Sequence, residues 1–182
     1  MSKIPDEEII PLILERSTTN QGFRLLVAQY QEQLYWQIRK MVFVHDDADD
    51  VLQNVFIKIF KGVKNFKGES KLSTWMFRIA YNESITFLKR KEKSLQLSSQ
   101  ELQDHLMEQL EADVYFTSDE IELALKKALS QLPNRQREVF NLRYYDDLKF
   151  KEIAAILDLS EGAVKSTYHI AAKKVEQYVK VN

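Results

Sequence analysis

The sequence predicts an all-α protein of two helical domains joined by an acidic linker. Three observations carry that expectation. Only three prolines and four glycines interrupt 182 residues, while a hydrophobic content of 45% suffices for a core. Apolar residues recur at helical spacing over long stretches. Charge, netting −1, is unevenly placed: Gln21 to Lys91 holds 12 Lys/Arg against 7 Asp/Glu, Ser94 to Glu120 holds 7 acidic residues and no Lys or Arg, and Ile121 to Asn182 holds 11 basic and 8 acidic. Two mildly basic blocks flanking an acidic connector suit nucleic-acid binding about as well as a solvated mixed surface. Domains are expected at 1–93 and 118–182, with the linker at 94–117.

A short first helix is expected over Asp6 to Arg16, breaking at Ser17-Thr18-Thr19-Asn20. A long second helix follows, with Phe23, Leu26, Val27, Tyr30, Leu34, Ile38 and Met41 at helical spacing, ending near His45. The third starts in Asp46-Asp47-Ala48-Asp49-Asp50, whose carboxylates suit capping and the positive end of the helix dipole. Its apolar positions are Val51, Leu52, Val55, Phe56, Ile59 and Phe60. Asn65 to Ser70 reads as a loop. A fourth helix over about Ser73 to Arg90 is expected to bury Trp75, Met76, Ile79, Ala80, Ile85 and Leu88. In the linker, Ser98 and Glu101 have capping-box spacing, and Leu102, Leu106 and Leu110 would share one side of a weakly packed helix. Four more helices are expected over Asp119–Ser130, Asn134–Tyr145, Phe150–Leu157 and Glu161–Gln177, with Pro133 at a helix start, where its missing N–H is harmless.

With no cysteine, the chain has no disulfide or Cys-based zinc site, which suits a reducing cytoplasm. The acidic N-terminus lacks an apolar stretch of signal-peptide length, and no run approaches the ~18 apolar residues of a membrane span. The expectation is a soluble, cytoplasmic protein. His45, His105 and His169 share no metal-ligand spacing, and no Walker loop or dinucleotide fingerprint appears. Neither cofactor, metal site nor catalytic constellation is expected.

The most informative stretch runs from Leu148 to His169, within a helix-turn-helix expected over Phe150 to Val175. A short amphipathic helix ends at Leu157, a tight turn follows, and Ser160 caps a second helix. Ala154 is small where two helices must cross, and Val164 and Tyr168 anchor the second one. In this pattern the second helix enters the major groove. Asp158 stands where glycine is commonest, and Asp tolerates a left-handed backbone. The solvent-facing candidates are Glu161, Lys165, Ser166 and His169, with Lys173 and Lys174 placed for phosphate. Lys165 or Ser166 would report base identity. An ordinary helical hairpin is the plainer alternative.

Three further motifs, in order, make the chain resemble the extracytoplasmic-function (ECF) class of bacterial RNA polymerase sigma factors over about residues 5–180. Asp47-Ala48-Asp49-Asp50-Val51-Leu52-Gln53-Asn54-Val55-Phe56 is similar to the family's polymerase-binding helix. Phe66 to Asn82 resembles its promoter-melting loop and helix. Leu132-Pro133-Asn134-Arg135-Gln136-Arg137-Glu138-Val139-Phe140, followed by Leu142-Arg143-Tyr144, resembles its sigma-4 opening. The resemblance implies a sigma-2-like bundle, a linker and a sigma-4-like helix-turn-helix domain.

It further implies that Asp49, Asp50, Gln53 and Asn54 meet a basic coiled coil on the polymerase clamp. Relatives usually carry an acidic residue where Asn54 stands. The loop Asn65–Lys71 is implied to hold a base flipped from the minus-10 element, a step that suits single-stranded DNA. Lys61, Lys64, Lys67 and Lys71 supply charge there, Ser70 and Asn82 suit a base edge, and Arg78 suits phosphate. Trp75 and Phe66 have the rings for stacking, although a Trp in an apolar helix pattern is more often core. The C-terminal helix is implied to read the minus-35 element, departing from relatives that carry arginines at Thr167, Ile170 and Ala172. The acidic linker is implied to thread the polymerase's RNA-exit path, unless it is a plain spacer. Core RNA polymerase, promoter DNA and an anti-sigma factor are the implied partners. A stand-alone helix-turn-helix regulator would explain the C-terminus but not the upstream motifs. A recombinase would need a nucleophile or metal cluster that the sequence does not display.

Overall fold

The computed structural model describes residues 4–98, 101, 102, 104, 105, 108 and 120–181. These residues form eight α-helices and one 3-10 turn, with no strand among them: α1 Asp6–Leu14, α2 Thr19–Val42, α3 His45–Gly62, the turn Val63–Asn65, α4 Leu72–Leu95, α5 Glu120–Ser130, α6 Asn134–Tyr144, α7 Phe150–Leu157 and α8 Glu161–Val181.

The first four helices bundle around α2, which packs against α1, α3 and α4. Its buried stripe, Leu26, Tyr30, Leu34, Ile38 and Met41, keeps one face inward for more than four turns. α2 stops where Phe43 turns left-handed (φ 63°), and α3 starts at His45. The N-cap of α3 is Val44, without a side-chain cap; Asp46 and Asp47 sit in the first turn, where the dipole favours them, and Asp47 pairs with Lys91 of α4. Ala48, Val51, Val55 and Ile59 form the buried face of α3, while Phe60 is 41% exposed rather than core. α4 runs five residues beyond the expected Arg90. It buries Met76, Ala80 and Leu88 as expected, adds Phe77, and leaves Trp75, Ile79 and Ile85 only partly covered.

The Ser98–Glu101 capping box is formed: each backbone N–H donates to the other side chain, at 2.7 and 3.3 Å. Leu102 is buried to 2% in the main core, so this part of the linker packs rather than floating. Leu106 and Leu110 lie outside the described residues.

In the C-terminal group α8 packs on α5, α6 and α7. Ala128, Leu129, Leu132, Phe140, Ala171 and Val175 form its own core. Pro133 is the N-cap of α6, not its first helical residue. The two groups also touch, α4 against α7 and α2 against α6, and Val139, Leu142, Ile153 and Leu157 join the same apolar cluster as Met76 and Ala80. Sequence reasoning did not anticipate this junction. It surrounds a cleft lined by Gln37, Met41, Tyr81, Glu138, Asn141, Leu142 and Asp146. Gln37 Oε1, Asn141 Oδ1 and Asp146 Oδ2 are buried there without a hydrogen-bond partner. A buried polar atom of this kind costs about 1–3 kcal/mol when neither protein nor water pairs with it.

Candidate nucleic-acid interface

α7 and α8 form the helix-turn-helix through local chemistry. Glu152, in the first turn of α7, accepts the Lys149 N–H at 2.9 Å. α7 buries Ile153, Ala154, Ile156 and Leu157, and ends because Asp158 adopts φ 56°, ψ 50°. The Leu159 N–H then returns to the Ala154 carbonyl at 3.0 Å, closing the helix end. Ser160 Oγ accepts the Ala163 N–H at 3.2 Å and starts α8. Val164, Ala171 and Val175 anchor α8 inward, while Tyr168 packs against Phe140 and Phe150.

The opposite side of α8 is open. Lys165, Ser166, His169 and Lys173 are all exposed and, at about 100° per residue, fall within roughly 100° of one another. Lys174 is exposed too, but points to the flank, where its ammonium donates to Gln136 Oε1 at 3.1 Å. Glu161 holds Lys165 at 2.7 Å, and that hydrogen bond keeps the Glu161 carboxyl below the usual range. The stripe thus carries cations, a hydroxyl and an imidazole, with one acid at its N-terminal end.

A second stripe lies on α4. Lys71 is its N-cap, and Trp75, Arg78 and Asn82 follow at spacings of four, three and four, so all four share one face. Lys71, Arg78 and Asn82 are exposed. Trp75 is half-buried, tilted against Phe66 with ring centroids 5.4 Å apart and its rim 3.2 Å from where a Cβ at Gly62 would stand. The preceding loop turns at Gly68 (φ 71°) and exposes Lys67 and Ser70, whose hydroxyl donates to the Lys71 carbonyl. Lys61 and Lys64 are exposed as well. The Lys71 ammonium reaches across to Glu152 Oε1 of α7 at 2.6 Å, and this hydrogen bond is the main cause that lowers the Glu152 carboxyl.

A third patch lies on α3. Asp50, Gln53 and Asn54 are exposed and Asp49 is partly so; Asn54 donates to the Asp50 carbonyl and Asp49 lies 3.7 Å from His45. The same face continues into Ile57, 51% exposed, and Phe60, two apolar residues that the motif-based reading left out. Their signal was present: Val51, Val55 and Ile59 define the buried stripe, and Ile57 cannot share it.

Among the described residues no group of three or more His, Asp or Glu is placed to hold a metal ion, and no helix is long and apolar enough to cross a membrane.

Comparison with known proteins matches this geometry. Residues 26–94 match the model of sigma-70 region 2, and residues 122–175 match that of sigma-70 region 4. The chain is 30% identical over 166 residues to the RNA polymerase sigma-H factor of Pseudomonas aeruginosa, covering 86% of this chain and 85% of that one. It is likewise 30% identical over 166 residues to the ECF RNA polymerase sigma-E factor of Escherichia coli, covering 87% and 86%. In fold it is similar to CnrH in its complex with the cytosolic domain of CnrY (TM-score 0.70, 22% identity, 97% and 98% covered). It is also similar to the sigma factor RpoE of Bartonella quintana in complex with the anti-sigma factor NepR (TM-score 0.69, 20% identity, 89% and 99% covered). With a charged stripe on each of two helices and relatives matched across both regions, the chain belongs to the sigma-70 family of RNA polymerase sigma factors, within its extracytoplasmic-function class.

Proposed function

We infer that this transcription initiation factor, which directs core RNA polymerase to promoters, grips DNA at two points and polymerase at a third. Residues 1–93 would act as the sigma-2 domain, 94–117 as the linker and 118–182 as the sigma-4 domain. Lys67, Ser70, Lys71, Arg78 and Asn82 would take the minus-10 element, cations along the backbone and Ser70 or Asn82 at a base edge. Lys165, Ser166 and His169 would read the minus-35 element, with Lys173 on phosphate and Lys174, turned toward Gln136, at the edge of that contact. Asp49, Asp50, Gln53 and Asn54, extended by Ile57 and Phe60, would dock on polymerase. The protein would act in the cytoplasm, where its polymerase is, without catalytic chemistry of its own. An anti-sigma factor is a proposed partner, since both solved relatives named above are held by other proteins.

The observation that carries this reading is the separation of three exposed faces, on α3, α4 and α8, each with a composition suited to its target. The test is transcription from a promoter library with core polymerase and the purified chain. Selected promoters should share two elements, one altered by Lys165→Ala and the other by Asn82→Ala. A folded chain that binds a single operator tightly without polymerase, and fails to bind core polymerase, would instead be a stand-alone regulator.

A further inference from the structure

Ile170 of α8 is 48% exposed. With Lys165 as the origin and about 100° per residue, the buried Val164, Ala171 and Val175 lie at roughly 240–280°, and Ile170 lies at about 140°. It stands about 100° or more from the stripe that holds α8 to the fold, so the core makes no use of it. It lies instead at the edge of the stripe of Lys165, Ser166, His169 and Lys173. Ser166 is four residues before it and Lys173 three after, the two spacings that make neighbours on a helix surface. A lone exposed isoleucine is ordinary on a protein surface. One set among the residues assigned to DNA has a partner at hand.

Its surroundings on α8 say what that partner is. Gly162 lies within the stripe, and the fold does not require glycine there: a Cβ would meet nothing within 4 Å, and the backbone is not left-handed. Ala163, also exposed, lies about 20° from Ile170 two turns earlier. The start of α8 can therefore come close to another surface. The acids of the helix, Glu161 and Glu176, stand about 120° or more from Ile170, and each is held by a lysine, Lys165 and Lys180. Cations flank the face and no carboxylate adjoins Ile170. That arrangement fits a polyanion that is approached closely and is apolar at one spot.

The edges of base pairs in the major groove present hydrogen-bond donors and acceptors, with one apolar group among them, the C5-methyl of thymine. Isoleucine neither donates nor accepts, so the methyl is the group from which it gains. We propose that Ile170 reads a thymine of the minus-35 element by packing on its C5-methyl group, with Ser166 and Lys173 on either side. The proposal rests on the assignment of the α8 stripe to minus-35 DNA. It also gives that base pair a penalty against the wrong partner: cytosine would turn its amino group toward a side chain that cannot accept from it.

Deoxyuridine in place of thymine removes the methyl and leaves every hydrogen-bonding group of the base where it was. The full chain with core polymerase is titrated with promoter duplex carrying the minus-35 element selected in the transcription assay, each thymine of either strand replaced in turn. At one position the replacement should weaken binding about three- to fivefold, the worth of a methyl group taken out of water. Ile170→Ala should weaken binding to the unmodified duplex by a similar factor and then be indifferent to deoxyuridine at that position, the coupling expected of two groups in contact. Ile170→Val should keep most of the sensitivity. A selected element without thymine, or a parent chain insensitive to every deoxyuridine, would overturn the proposal. Parental sensitivity in Ile170→Ala would overturn it too, because another side chain would then hold the methyl. Promoter preference that also survived Lys165→Ala, Ser166→Ala and His169→Ala would remove the DNA assignment of α8 itself. Preference altered by those three, with no coupling at Ile170, would strike the thymine contact alone.

Discussion

Gly22 of α2 lies so close to Ile13 of α1 that a Cβ there would stand 2.7 Å from the Ile13 backbone nitrogen, and 2.8 Å from the Leu12 carbonyl carbon. Backbone cannot yield as a flexible side chain does, so Gly22→Ala should push α1 off α2. The expected loss is about 1–3 kcal/mol, as for other overpacked sites. Chemical denaturation should show the lowered midpoint with an unchanged slope. A midpoint equal to that of the parent would mean that α1 is not seated as described.

Glu138 gives the chain a pH dependence with a definite sign. Burial raises its carboxyl above the usual 4.5, while the Tyr81 hydrogen bond, Arg135 and Arg137 pull the other way. The same burial lowers Arg137 to about 10. A carboxyl raised in the folded state binds its proton more tightly there than in the unfolded chain. Its favourable contribution is therefore complete below the unfolded value and is lost as pH rises through the folded one. Asp146, raised by burial against the pull of Lys40, acts in the same direction. Glu138→Gln keeps an acceptor for Tyr81 but cannot ionise, so its stability relative to the parent should climb as pH rises from 4.5. Parallel melting curves across pH would show that the Glu138 environment is more hydrated than its burial implies.

The turn between α7 and α8 offers two opposed changes. Asp158 holds a left-handed backbone that costs a side-chain-bearing residue about 1 kcal/mol or more, so Asp158→Gly should stabilise the fold by roughly 0.5–1 kcal/mol. Ser160→Ala removes the acceptor for the Ala163 N–H and should cost about 1 kcal/mol. Thermal melting of the two variants should move in opposite directions. Movement in the same direction would show that the turn is held by something other than these local terms.

Those two residues also show what the sequence made legible. Asp158 and Ser160 act through their own backbone, so their roles follow from residue type and position. The same holds for the Ser98–Glu101 box and for the stripes on α4 and α8, which helical spacing alone brings together. Lys71–Glu152 and Tyr81–Glu138 join residues 81 and 57 positions apart, across a junction whose register no local pattern encodes. Lys174 is a smaller case: its exposure follows from the pattern, but its tie to Gln136 depends on how α6 lies beside α8. Phe60 is one of the apolar positions of α3 by residue type, but its angular position turns it away from the buried stripe of Val51, Val55 and Ile59.

The exposed apolar end of the α3 patch bears on polymerase docking. Ile57 is 51% exposed and lies on the same face as Asp49, Asp50 and Gln53, so it has little to lose in the free fold. Ile57→Ala should change stability by no more than about 0.5 kcal/mol. If the patch meets polymerase, the same change should weaken core binding by about tenfold, the effect of removing roughly 1.4 kcal/mol of contact. Competition for core polymerase against a labelled parent chain measures this. Equal competition by parent and variant would confine the docking face to the acidic residues.

On α8 the placement of two adjacent lysines separates phosphate contact from helix packing. Lys173 lies within the stripe of Lys165, Ser166 and His169, whereas Lys174 is about 100° further round and donates to Gln136. A lysine that neutralises one phosphate displaces counterion, so its loss should weaken binding at all sequences and flatten the slope of log affinity against log salt by about 1. Lys173→Ala should do this on minus-35 duplex. Lys174→Ala should leave the slope closer to that of the parent and act mainly through the α6–α8 contact. Titrations at several salt concentrations distinguish the two, because a merely packing role lowers affinity without changing the slope. A flattened slope for Lys174→Ala and not for Lys173→Ala would rotate the reading face of α8 toward α6 and require the stripe to be redrawn.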